Sequence, residues 1–294
     1  MKQLTIKEKV SGVGIGLHKG IPIKISLEPL ESGRGIVFYR SDTDSFIEAL
    51  PKNVIDTRMA TVISDSSGNY VSTIEHLLSA IYAFGIDNIL IRVDSYEVPI
   101  MDGSSASFCM MLREAGIQKQ EISKKVIILK EKIEVIEGDK FVSLSPSLSP
   151  NYDFSVDFSH PSIGKQEYNF AFNKSNYLQE ISRARTFGFL KDIHMLRKRD
   201  LALGGSLENA IVLDNKRILN IEGLRYSNEF VRHKILDAIG DLALFGMPYL
   251  ANYHSHAGSH DLNHKLTKKL LNSPDKFAIE DLEGIKEMAF YEFA

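Results

Sequence analysis

One cysteine among 294 residues leaves no partner for an internal disulfide, so the chain is not a disulfide framework and suits a reducing compartment. That residue, Cys109, lies in the run Phe108-Cys109-Met110-Met111 and is expected in the core. A closed, thiolate-rich structural zinc site is excluded by the same scarcity. No block of lysine and arginine marks a docking tail, and a formal net charge of -3 supplies no field for nucleic acid. No secretory leader is visible. Residues 1–10 alternate Leu4, Ile6 and Val10 with Lys2, Lys7 and Lys9, which predicts a first strand. The longest apolar stretch, Leu242 to Ala251, contains Pro248 and is far too short to span a bilayer. These absences together lead us to expect a cytoplasmic protein with no membrane span.

What is present is ordinary for a globular chain: 44% hydrophobic and 25% charged residues. The length favours two domains. Ile23 to Leu27 alternates directly after Pro22 and Ile89 to Val93 is rich in β-branched residues, so both read as strands. Between them Ser72-Thr73-Ile74-Glu75 has the form of a capping box, predicting a helix with Ser72 as N-cap, an apolar face at 74, 77, 78, 81 and 84, and Gly85 as its stop. A second helix is expected after Asp102-Gly103-Ser104, running to Gly116. The polar segment Gln118 to Lys125 reads as the linker between domains 1–120 and 125–294. Beyond it, strands are expected near 126–129, 132–136, 141–144, 154–158 and 210–213, with helical segments at 177–181 and from 229 to about 245. The order of elements predicts an α+β fold, two similar two-layer α+β domains, although no sequence repeat marks a duplication.

The helix expected after Asn228 carries His233, Asp237 and Asp241 at i, i+4 and i+8, which stacks them on one face. Val231, Ile235, Ile239 and Leu242 occupy a different stripe and supply core contacts. An imidazole and a carboxylate one turn apart can hold a cation with ligands that suit zinc. Spacing alone favours the plainer reading of a structural His–Asp pair that stabilises the helix. Glu75-His76, in the first turn of an otherwise apolar helix, shifts that balance, because two buried ionisable neighbours need partners. His76 would complete a three-ligand, open zinc site and Glu75 would lie beside it. The tract from Tyr253 to His264 holds four histidines, and composition leaves open a chelating cluster, a solvated loop or one catalytic imidazole.

Five runs then carry a family resemblance: Val13 to Gly20, Thr73 to Leu77, Val98 to Ser104, Ile181 to Phe189, and Phe230 to Leu242. In that order they resemble the UDP-3-O-acyl-N-acetylglucosamine deacetylases, the zinc amidases of the committed step of lipid A biosynthesis in Gram-negative bacteria. The resemblance runs from the first strand to the region of His260. It implies one catalytic zinc on His76, His233 and Asp237, with Glu75 as general base. It further implies His260 as acid or electrostatic stabiliser, Asp241 as its partner, and Thr186 as an oxyanion contact. Phe187 and Lys234 fall on substrate contacts, and Ile193, Ala202, Gly205 and Val212 on a passage for the acyl chain. The implied fold packs the two domains face to face around the site, with a small insertion in each. The implied partner is an acylated UDP-amino sugar, and a monomer is expected. One departure stands out: Gly258-Ser259-His260 has Ser259 where many members have glycine, which puts the geometry of that turn in question.

Overall fold

The computed structural model describes residues 1–198 and 200–282, so the end of the expected second domain, 283–294, lies outside the described residues. Its first half begins with β1 (Lys2–Ile6), β2 (Val10–Ile15), β3 (Pro22–Pro29), β4 (Ile36–Arg40) and β5 (Ser45–Glu48). Three short strands follow, β6 (Val54–Asp56), β7 (Val62–Ser64) and β8 (Tyr70–Val71), then α1 (Glu75–Ala83), β9 (Ile89–Val93), α2 (Ala106–Ala115) and β10 (Ile117–Ser123). The main sheet runs β2-β3-β9-β4-β5, while β6, β7 and β8 form a small sheet of their own. Because β9 lies between an antiparallel β3 and a parallel β4, this is an α+β layer and not a repeated βαβ wind.

The second half holds β11 (Lys125–Leu129), β12 (Ile133–Glu137), β13 (Lys140–Pro146), β14 (Asn151–Phe158), β15 (Gly164–Ala171) and β16 (Phe187–Phe189). After these come α3 (Leu190–Arg197), β17 (Ile211–Leu213), α4 (Glu229–Leu242), β18 (Tyr249–His256), α5 (His260–Leu271) and β19 (Phe277–Asp281). Its sheet runs β12-β13-β18-β11-β19, with β14 also on β18 and β15 on β14. A separate parallel pair, β16 with β17, flanks α3. Buried apolar side chains of both halves form one large continuous cluster, and Ile163, Ile211, Leu213 and Phe230 form a second, smaller one.

Several local expectations are altered by competing contacts. The strand expected over residues 1–10 is two strands, β1 ending at Ile6 and β2 opening at Val10. No capping box forms at Ser72: the helix starts at Glu75, Thr73 takes a left-handed φ of 60°, and Ser72 bridges to Glu97 instead. Asn228 does occupy the N-cap position of α4, but its side chain accepts from Arg232 Nε and caps nothing. The polar segment read as a linker is mostly β10, zipped antiparallel to β1 through pairs such as Leu4 with Lys119. Its polarity reflects a two-stranded ribbon with much of its surface in water. Within that segment Lys124 is buried, its ammonium donating to the Gly85 carbonyl at 2.7 Å and pairing with Asp87 at 3.0 Å.

One contact positions the site. All nine residues of α1 are buried, so this helix has no solvent face and is covered on one side by α4. Gly240 permits the approach: a Cβ there would stand 2.0 Å from the Glu75 carbonyl oxygen, where no side-chain carbon can fit. At the other end of α1, Gly85 takes a φ of 65° and sends the Ile86 N–H back to the Ile81 carbonyl, closing the helix as its sequence predicts.

Candidate functional site

The first turn of α1 and the polar face of α4 meet at the Gly240 crossing. Glu75, His76, His233, Asp237 and Asp241 are all nine-tenths or more buried there. His76 Nε2 lies 3.5 Å and His233 Nε2 3.3 Å from Asp237 Oδ1, and one donor atom from each of the three residues falls within 4.8 Å of the others. The His233 tautomer follows from its partner. Nδ1 lies 3.0 Å from the Ala184 carbonyl, which can only accept, so Nδ1 carries the proton and Nε2 presents a lone pair. Asp237 Oδ1 is buried with no hydrogen-bond donor. Lone pairs converging without a shared proton are repulsive unless a cation sits between them, so this donor set fits a metal ion.

The electrostatics agree with that donor set. Burial drives His233 down to about 3, keeping the imidazole neutral, as a metal ligand must be. Burial works to raise Asp237, but the carboxyl is held well below the usual range, and with His233 neutral the cationic Lys234 beside it is the partner that favours the charged form. Lys234 donates to Asp237 Oδ2 at 2.8 Å, leaving Oδ1 facing the imidazoles. Glu75 is raised above the ordinary carboxyl range by burial.

Around this cluster stand the other expected residues. His260, the first residue of α5, places Nδ1 2.9 Å from Asp241 Oδ2 and Nε2 3.9 Å from Glu75 Oε1. Burial would lower His260, yet Asp241 dominates and pushes it up to about 10. Ser259 is the N-cap of α5, its hydroxyl accepting from Leu262 N–H at 3.3 Å. Thr186 is fixed by its backbone, donating to Gly103 O and accepting from Ile211 N–H, each at 2.8 Å. Phe187 stands edge-on to Phe230 and 6.4 Å from the His233 ring, with Lys234 Nζ 5.8 Å from its centroid. A cavity of about 260 Å³ opens beside Thr186 and Phe187, and Ile193, Ala202, Gly205 and Val212 are among its walls.

The remaining histidines of the 253–264 tract lie elsewhere. His254 and His256 are on β18, beside Asp153 and Ser155, and His264 is one turn along α5 from His260. His18 lines the cavity, and Asp102 pairs with Arg225 at 2.7 Å.

Four contacts escape the sequence reading. Thr61 donates its hydroxyl to Asp241 Oδ1 at 2.6 Å and its backbone N–H to Glu75 Oε2 at 3.0 Å. Asn263 donates to Asp241 Oδ2 at 2.8 Å and accepts from Tyr253 at 2.7 Å. Glu97, raised to about 7 by burial, accepts from the His18 N–H at 3.1 Å and so holds the loop that walls the cavity. The fourth is the Ala184 carbonyl. No residue type or spacing encodes a backbone carbonyl, and Thr61 lies in a run with no motif. Asn263 could have been suspected, being three residues from His260 and thus on the same side of a helix.

Comparison with known proteins adds a family. The family described as UDP-3-O-acyl N-acetylglycosamine deacetylase matches residues 3–272. A Campylobacter fetus protein named UDP-3-O-acyl-N-acetylglucosamine deacetylase is 60% identical over 286 residues, 97% of each chain. Proteins of the same name from Campylobacter hominis and Sulfurimonas denitrificans are 58% and 59% identical, covering 100% and 98% of this chain and 99% and 98% of their own.

Proposed function

The chain belongs to the UDP-3-O-acyl N-acetylglycosamine deacetylase family, and on that premise we propose that it is a zinc-dependent deacetylase. Its proposed substrate is UDP-3-O-(3-hydroxyacyl)-N-acetylglucosamine, which it hydrolyses at the 2-acetamido group to the free amine and acetate, the committed step of lipid A biosynthesis. The observation that carries this reading is the convergence of His76, His233 and Asp237 on one point, flanked by Glu75 and His260. His76 Nε2, His233 Nε2 and Asp237 Oδ1 would hold the ion. When bound, zinc supplies Lewis acidity, polarising an amide carbonyl and acidifying water.

The chain's own groups do the rest. Glu75 keeps Oε2 on the Thr61 N–H and so offers Oε1 to take the proton of the attacking water. His260 is protonated at Nδ1 toward Asp241, which leaves Nε2 to stabilise the tetrahedral oxyanion or to protonate the leaving amine. The Thr186 hydroxyl would share the oxyanion's charge, and Phe187 and Lys234 would contact the sugar nucleotide. Ile193, Ala202, Gly205 and Val212 would bury the acyl chain, whose apolar surface gains about 0.8 kcal/mol per methylene removed from water. We take the chain as two domains, 1–120 and 125–294, with the site between them, acting as a monomer in the cytoplasm. No helix among the described residues is long and apolar enough to cross a membrane.

The test is acetate release from the acylated sugar nucleotide, with metal analysis of His76→Ala, His233→Ala and Asp237→Ala. Turnover by the native chain and metal loss in the variants support the reading; full metal occupancy in all three would sink the site. Equal turnover of a substrate without the 3-O-acyl chain would instead favour a deacetylase of other sugars or of peptides.

A further inference from the structure

Thr61 sits in the loop immediately before β7, in the small β6-β7-β8 sheet, and only 2% of its surface is exposed. Its two polar groups go to two different reacting partners. The hydroxyl donates to Asp241 Oδ1 at 2.6 Å, and the N–H of the same residue donates to Glu75 Oε2 at 3.0 Å. Asp241 receives His260 Nδ1 and Asn263 Nδ2 on its other oxygen, so the Thr61 hydroxyl sets the roll of this carboxylate about its own axis. A buried threonine with no catalytic connection would be expected to satisfy a local backbone carbonyl.

We propose that Thr61 is a positioning residue that fixes Glu75 and the Asp241–His260 pair relative to each other. This rests on the reading of Glu75 and His260 as base and acid. The consequence is geometric. Two groups carried by separate helices, α1 and α5, come within 3.9 Å of each other and must act on one substrate atom set, and small displacements of either cost large factors in rate. Among the described residues, Thr61 alone donates hydrogen bonds to both the base and the acid's orienting carboxylate. It assigns a task to the small first-half sheet, which also reaches α5 through Thr57 Oγ1 on Asp261 at 3.3 Å.

Thr61→Val separates the two contacts, because it removes the hydroxyl, keeps the branched shape and leaves the N–H on Glu75. In the metal-loaded protein, kcat for acetate release is expected to fall roughly tenfold, ~1.4 kcal/mol of barrier. KM should stay within about twofold and metal content should be unchanged, the signature of an interaction lost only in the transition state. The His260 Nδ1–H proton resonance should move, since its acceptor Asp241 is freed to rotate, and Thr61→Ser should restore both rate and resonance. The His260 ring is faced by Asp241 and Asp237 from α4 and by Glu75 from α1, and each of these is left in place. Native kcat and an unmoved resonance in Thr61→Val would overturn the proposal. Should that variant not fold, the native protein decides: a slowly exchanging Thr61 hydroxyl proton supports the assignment and a freely exchanging one overturns it. A native chain that turns over no acylated sugar nucleotide, with the His260 resonance still moved by Thr61→Val, would fault the proposed substrate and leave the positioning role standing.

Discussion

At the scale of single residues, the site divides into groups with separable duties. Glu75 keeps its carboxylate off the three ligand atoms and on the Thr61 N–H, so Glu75→Ala should retain bound metal while turnover falls by at least ~100-fold, the size of a general-base contribution. Loss of the metal in that variant would make Glu75 a ligand. His260 is the charged partner of Asp241, and the sign of its pH dependence follows. Its value is raised to about 10, so the protonated form persists across neutral pH and is lost as pH rises through about 10. The alkaline limb of kcat/KM against pH should therefore belong to His260 and vanish in His260→Ala; an identical limb in that variant would remove His260 from the reaction. Glu75, His76, His233, Asp237 and Asp241 were legible in the sequence because each carries its chemistry in its side chain at a recognisable position on a helix, whereas His260 was singled out among four histidines only by the family resemblance. Thr61 and the Ala184 carbonyl were not legible, since hydroxyls are common and carbonyls universal. Only tertiary proximity, across 180 residues for Thr61 and Asp241, gives them a part.

At the scale of elements, two short stretches decide whether the site assembles. Ser259 caps α5 and so sets where His260 begins the helix. Ser259→Ala should lower stability by about 1 kcal/mol in denaturant titration, and Ser259→Gly by only a few tenths. A larger loss of activity than of stability would mean that the cap also aims the His260 ring. Gly240 governs the α1–α4 crossing. Gly240→Ala has to displace the Glu75 carbonyl from a 2.0 Å overlap, so metal affinity and melting temperature should fall together, by at least ~2 kcal/mol in stability, the scale of an overpacked core. Retention of both would show that the helices slide apart at little cost. The sequence predicted α1, α2 and α4 from their apolar periodicity, with ends near those observed. It left the 253–264 tract open, and there the structure resolves a strand and a helix joined by one short turn. On β18 the exposed His254 and half-buried His256 alternate with the buried Tyr253 and Ser255, and one large apolar residue is too little to mark that period in the sequence. The same lack of a marked period hid β10, whose polar residues pair with β1 where a linker was expected.

At the scale of the whole molecule, the two halves are joined beside the site by charge as well as by core. Asp102 of the first half pairs with Arg225 of the second at 2.7 Å. Burial works to raise Asp102, but Arg225 and Ser104 outweigh it and hold the carboxyl below its ordinary 3.8. A depressed carboxyl stabilises the fold above its unfolded value and loses that contribution as pH falls through the lower folded value. Arg225→Gln should therefore be less stable than the native chain near neutral pH, by up to ~1 kcal/mol for a partly exposed pair, and the difference should close in acid. A difference that stays constant down to low pH would assign the loss to packing. The complete burial of α1 bears, finally, on how the chain is made. Ribosomes deliver the first half well before α4, the helix that covers α1, has emerged. Until then an apolar helix meant to be covered stands open, and the contacts that close it span more than 150 positions, the class of pairing that forms last. The nascent first half is thus the stage at which this protein most needs a chaperone, and chains truncated before residue 229 should aggregate where full-length chains stay in solution.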